Sequence, residues 1–152
     1  MKDRITPENL FSSVSQVFEE AAFNLIQEYE EDVVYIPQNI CSRMDFRGPV
    51  SGTVFLVTSP AQAAQLAGNL LGLDEDDEEV MEKCPAAVNE LLNMVVGIFV
   101  NQVYGDSQSY TLGIPSLQSL SQKDFEDLVK RADVNCAFID DMDNVFYSFV
   151  SS

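Results

Sequence analysis

A long apolar segment with a helical period, roughly Pro85 to Tyr104, constrains this chain more than any other feature. At about 100° per residue, Val88, Leu92, Val95, Val96, Phe99 and Val103 fall on one side, the expected core face. The opposite stripe reads Ala86, Glu90, Asn93, Gly97 and Asn101: a carboxylate, two amides and two very small residues. Gly97 costs such a helix roughly 1 kcal/mol relative to alanine, and in return lets a partner backbone come close. A carboxylate and an amide three residues apart, beside that gap, make a candidate docking and catalytic face.

Composition narrows what that face can do. The 152 residues suit a single domain, 1–152, with one sizeable core. The formal net charge is −17, from 25 acidic and 8 basic residues. Nucleic acid is not an expected partner, because binding it needs Lys and Arg to displace phosphate counterions. An anionic membrane surface is disfavoured for the same reason. There is no histidine, which removes the commonest general base and metal ligand. Cys41, Cys84 and Cys136 are widely spaced, and their expected role is that of small buried hydrophobes. Their odd number, with a start (Met1-Lys2-Asp3-Arg4) too polar for a signal sequence, predicts a reducing, cytoplasmic setting. No run approaches the ~20 apolar residues expected of a membrane helix.

The order of elements follows from caps and periods. Thr6-Pro7-Glu8 reads as a helix start, followed by Leu10, Val14, Val17, Phe18, Ala21 and Leu25 at helical spacing. The acidic run Glu28–Asp32 ends that helix or begins a loop. Strands are expected near Asn39–Phe46 and Val50–Thr58 around the Gly48-Pro49 turn. Ser59-Pro60 opens a second helix that stops at Gly72. The acidic stretch Asp74–Glu79 lacks the ligand alternation and central glycine of a calcium loop, so it reads as a solvated link, and no metal site is expected. Pro85 then opens the long helix. Gly105–Gln108 reads as a turn, and Tyr110–Leu117 includes a strand before or around Pro115. Ser121 with Asp124 starts a helix over Gln122–Ala132, and strands Val134–Ile139 and Asn144–Val150 close the chain.

A weak internal repeat runs through this order. Ile36-Pro37 and Ile114-Pro115 each follow a long helix, and Val54-Phe55 and Val145-Phe146 each mark a hairpin strand. The expected fold is α+β: a largely antiparallel sheet with two long helices on one face, duplicated about a pseudo-two-fold.

Glu90-Leu91-x-Asn93-x-x-x-Gly97 follows Phe46-x-Gly48-x-x-x-Gly52, then Val54-Phe55-Leu56, then Leu66, Leu70, Leu71 and Gly72 before the acidic linker; Pro115 comes downstream. In this order, from about Asn39 to Pro115, the chain resembles the CheC/CheX-type phosphatases of bacterial chemotaxis. The resemblance implies a CheC-like fold and hydrolysis of the aspartyl phosphate on a CheY-like response regulator. Asn93 would orient the attacking water and Glu90 would pair with the receiver's lysine, with Ala86, Gly97 and Asn101 on the docking surface. It implies no cofactor in this chain, the magnesium ion being the receiver's own, and it makes a homodimer the expected assembly.

Three departures accompany the resemblance. Ala86 stands where CheC-like motifs place Asp or Ser. Pro115 falls one residue closer to the asparagine than in the longer pattern. The first helix has no Glu-x-x-Asn, because Glu20 and Asn24 are four apart, so the chain looks CheX-like with one site. The rival readings are a receiver-binding module without turnover and a dimerisation module. On purely structural grounds, Glu90 would face the helix dipole and Asn93 and Gly97 would serve helix packing. Asn101 would be a solvated polar residue, and Phe46, Gly48 and Gly52 would set turn and sheet geometry.

Overall fold

Side-chain caps set the helix starts. The structure is a computed structural model and describes residues 2–74, 76–105 and 109–152. Helix α1 spans Pro7–Ala22, with the Thr6 hydroxyl accepting from the Asn9 amide at 3.1 Å. Helix α2 spans Pro60–Leu71 behind Ser59 and ends at Gly72, whose φ of 72° is left-handed. Helix α4 spans Gln122–Arg131, capped by Ser121 on the Asp124 amide. All three starts stand where the sequence puts them.

The long helix does not. Helix α3 runs Glu78–Tyr104, so Pro85 lies inside it rather than at its start. Asp77 is the cap, accepting from the Glu79 amide at 2.8 Å, and Glu78 and Glu79 face the positive end of the helix dipole. Lys83 pairs with Glu79 one turn on, while Val80 and Cys84 bury the inner face of the added turns. These contacts offset the amide that Pro85 lacks. The second half of the acidic stretch is therefore a helix start and not a link; Glu75 lies outside the described residues. So do residues 106–108 of the expected turn, while Gly105 ends α3 with a φ of 72°.

Helix α1 is also shorter than its apolar period. It ends at Ala22 with Phe23 left-handed, so Leu25 lies beyond it and is 57% exposed. A strand that the sequence did not predict, β1 (Ile26–Glu28), leads into the acidic run and takes its first residue. Strands β2 (Ile40–Arg47) and β3 (Gly52–Thr58) form the first hairpin. The Pro115 region splits into β4 (Thr111–Leu112) and β5 (Ser116–Gln118), which pair with opposite ends of β2. Strands β6 (Val134–Asp140) and β7 (Val145–Ser151) form the second hairpin.

All pairings are antiparallel, in the order β1-β6-β7-β3-β2, with β4 and β5 outside β2. The central neighbours β3 and β7 come one from each hairpin. The strand after α1 pairs with the second hairpin, and the strands after α3 pair with the first. This exchange is the pseudo-two-fold. The Val-Phe dipeptides do not correspond under it: Val54 and Phe146 face the α3 side, and Phe55 and Val145 the other. Strand alternation makes a one-residue offset a change of face.

Each face of the sheet carries a core. Helices α1, α2 and α3 cover one, so a third helix joins the two expected there. Val54, Leu56, Met44, Phe46, Phe138 and Phe146 meet them from the strands. Phe18 stacks on Phe146 at 5.1 Å between ring centres. Helix α4 covers the other face through Phe125 and Leu128 on Phe55, Val57, Tyr147 and Phe149. The α3 core stripe Val88, Leu92, Val95, Val96, Phe99 and Val103 is fully buried. By length and composition α3 could cross a membrane (mean hydropathy 1.3), contrary to the expectation that no segment comes close, but here it is the central core helix.

The three cysteines are free and buried. Burial raises the Cys41 thiol to about 12, against a smaller lowering by Gln118 and Arg43. Burial, with the Glu28 and Glu8 charges, raises Cys136 to about 12. The folded state holds these protons longer than the unfolded chain. Stability is therefore unaffected below about pH 9 and falls as pH rises from there toward 12. Denaturant midpoints measured from pH 8 to pH 11 are expected to decline, and Cys41→Ser with Cys136→Ser should flatten that decline.

Candidate active face on the long helix

The α3 residues opposite the core stripe form one outward band. Ala86, Glu90, Asn93 and Asn101 are exposed and Gly97 is half-buried. Three residues apart, Glu90 and Asn93 are neighbours on the helix surface. Among the described residues, neither side chain has a hydrogen-bond or ion-pair partner. A Cβ built on Gly97 meets nothing within 4 Å. Gly97 therefore makes no close approach within the chain, and packing of α3 against the chain's other helices explains neither it nor Asn93. The Glu90–Asn93 part of the band is exposed and, among the described residues, unoccupied by the protein's own polar groups.

Two polar contacts tie the band to the sheet, and the sequence reading assigned neither. The buried Ser42 hydroxyl of β2 donates to Asn89 Oδ1 at 2.6 Å, next to Glu90. This bond fixes the rotation of α3 where the Glu/Asn pair projects. A serine among the apolar positions of a strand was its only sequence signal. Farther along, the Tyr110 hydroxyl donates to Asn101 Oδ1 at 2.7 Å, and Tyr110 stacks on Tyr104 at 5.5 Å. Asn101 is thus exposed but bonded. The Tyr104 hydroxyl donates to the Val50 carbonyl.

The glycines near Phe46 have geometric roles. A Cβ on Gly48 would stand 3.1 Å from the Tyr104 ring and from the Ser109 carbonyl. One on Gly52 would stand 2.9 Å from the Phe46 ring and 3.0 Å from the Ser151 carbonyl. Phe46 in turn sets its edge against Phe99 and Tyr104. This cluster seats the C-terminal half of α3 and puts no group on the outward band.

The first helix carries no counterpart. Glu20 is exposed, whereas Asn24 lies past the helix end, only 3% exposed, and donates to Asp140 Oδ2 at 3.3 Å. Asp140 also accepts from the amides of Met142 and Asn144 and from Asn144 Nδ2, each at 2.9 Å. This carboxylate organises the β6–β7 turn. Asp140→Ala strands those donors and should lower stability by about 2 kcal/mol, read as a fall in the urea midpoint. Among the described residues, no three His, Cys, Asp or Glu side chains converge where they could hold a metal ion.

The family model described as "Chemotaxis phosphatase CheX" matches residues 40–139. No curated protein matches the chain in sequence. Among solved structures, a CheX–CheY–BeF3–Mg2+ complex from Borrelia burgdorferi aligns with a TM-score of 0.72 at 15% identity, covering 95% of each chain. The chemotaxis protein CheX from Desulfovibrio desulfuricans gives a TM-score of 0.69 at 13% identity, over 94% of this chain and 95% of that one. FliY from Thermotoga maritima gives 0.63 at 15% identity, over 97% and 92%. The α+β, antiparallel, CheC-like fold expected from the sequence is therefore the fold observed.

Proposed function

Since this chain belongs to the CheX family of chemotaxis phosphatases, we propose that it hydrolyses the aspartyl phosphate of a CheY-like receiver domain through the outward band of α3. One observation carries this reading: Glu90 and Asn93 stand side by side, exposed and without side-chain partners among the described residues, on a helix whose opposite face is fully buried in the core. An acyl phosphate is already activated, and the receiver brings its own magnesium ion. What remains is to place one water in line with the leaving carboxylate and to exclude others. A carboxamide does this with one acceptor and two donors, so Asn93 holds the water. Glu90 pairs with the receiver's active-site lysine and sets the docking register. Ala86, Gly97 and Asn101 extend the contact along the helix, and the open space over Gly97 admits the receiver backbone.

The chain acts in the cytoplasm, where phosphorylated receivers are found, and works as a homodimer. Light scattering at micromolar concentration should give twice the chain mass; the monomer mass would remove the dimer and leave the chemistry untouched. The catalytic reading is tested with a receiver phosphorylated by a small phosphodonor. Substoichiometric protein should shorten the lifetime of the phosphoryl group over many turnovers. Saturable binding with an unchanged lifetime selects the module without turnover.

A further inference from the structure

We propose that Arg43, Arg47 and Arg131 form a phosphate-binding site on the sheet face turned away from α3. Three of the chain's four arginines line one shallow cavity of about 320 Å³, at the end of α4 over β2, β3 and β7. The same ten lining residues include one of the chain's 25 acidic residues, Asp45. In a chain of net charge −17 this is a local inversion of sign.

The three guanidiniums share the cavity with two carboxylates, Asp45 in its lining and Asp133 bonded to the lining residue Ser152. Arg43 lies 5.4 Å and Arg131 5.7 Å from the centre of the same buried ring, Phe55, which holds both over the cavity floor. Arg43 has Asp45 Oδ1 at 3.5 Å, but that oxygen already accepts from the Thr53 hydroxyl at 2.7 Å. Arg131 donates to Ser151 Oγ at 3.2 Å, which leaves the Ser151 proton free to donate. Arg47 is exposed at the mouth. Asp133 stands at the rim, accepting from the Ser152 amide at 2.8 Å.

A phosphate dianion fits this set better than a carboxylate does. Its tetrahedral oxygens can accept from three guanidiniums and a serine hydroxyl together, whereas a planar monoanion occupies one fork. The ligand is free phosphate or a small phosphate monoester. The sheet lies between this cavity and Glu90 and Asn93, so the inference does not depend on the proposed phosphatase activity.

Titration of the full chain with inorganic phosphate at fixed ionic strength, followed by NMR, tests the site. Saturating shifts are expected at the Arg43 and Arg131 side-chain N–H groups and at the Thr53 and Ser151 amides. Arg47→Gln, at an exposed position, and Arg131→Gln should each weaken binding about tenfold, with thermal unfolding of Arg47→Gln unchanged. Glycerol phosphate binding more tightly than phosphate identifies a monoester site, and equal binding identifies free phosphate. Shifts that never saturate, that map to α3, that acetate reproduces equally, or that survive Arg47→Gln unchanged overturn the proposal.

Discussion

Asn93→Ala is expected to cut the catalysed rate of receiver dephosphorylation by about 10²-fold, the scale lost with one well-placed transition-state contact. Receiver binding should change much less, because an amide removed from an exposed surface leaves no buried charge unpaired. The fold should not suffer. The Asn93 side chain makes no hydrogen bond among the described residues, and alanine is the better helix former by a few tenths of a kcal/mol. The combination to look for is lost turnover with an equal or higher melting temperature. Asn93→Asp is a useful companion: it keeps the shape and removes the two amide donors. If Asn93→Ala instead unfolds the protein, the asparagine is a packing residue, and its assignment to the chemistry falls.

Much of the fold was legible where the determinant is local. Thr6-Pro7, Ser59-Pro60 and Ser121 start helices because a hydroxyl cap and a preset φ act within four residues. The core face of α3 was legible because six residues at one period leave little choice of side. Errors arose where two local signals competed. Pro85 looked like a first helical residue, yet Asp77 caps the helix two turns earlier, and Val80 and Cys84 reward the extension. Leu25 kept the α1 period, but the left-handed Phe23 had already ended the helix. Strand β1 has only three residues, Ile26-Gln27-Glu28, at a sheet edge, too few for a local pattern, so its pairing with β6 makes it a strand. The sheet order depends on contacts between distant residues such as Leu56 and Ser148, which no local pattern encodes.

The site divides in the same way. Which α3 residues point outward follows from the period, and the structure places all five on the exposed side or half-buried there. What holds them in place does not follow from it. The Ser42–Asn89 bond joins residues from a strand and a helix, and nothing near either residue announces the other. The arginine cavity is less visible still. Arg43, Arg47 and Arg131 read as isolated charges along the chain and meet only when β2 and the end of α4 lie over the same part of the sheet.

Glu90→Lys should have the largest effect of any single change on the α3 band. Under the proposed docking, Glu90 faces a lysine, so alanine removes an attraction and weakens both binding and turnover. Lysine puts two like charges in contact instead, at a cost of several kcal/mol, and kcat/KM should fall by about 10³-fold. Because Glu90 is exposed and lacks a partner among the described residues, the variant's stability should stay within about 0.5 kcal/mol of the parent. A merely electrostatic surface effect is separated from a direct pair by the reciprocal change. Lysine-to-glutamate substitution at the receiver's active-site lysine should bind the Glu90→Lys protein better than the parent protein, restoring part of the lost affinity. The coupling should weaken with added salt only modestly, since a pair closed off by the interface is poorly screened. If Glu90→Lys binds the phosphorylated receiver as tightly as the parent does, Glu90 does not face the lysine. The register along α3 would then have to be set by Ala86, Gly97 and Asn101 alone.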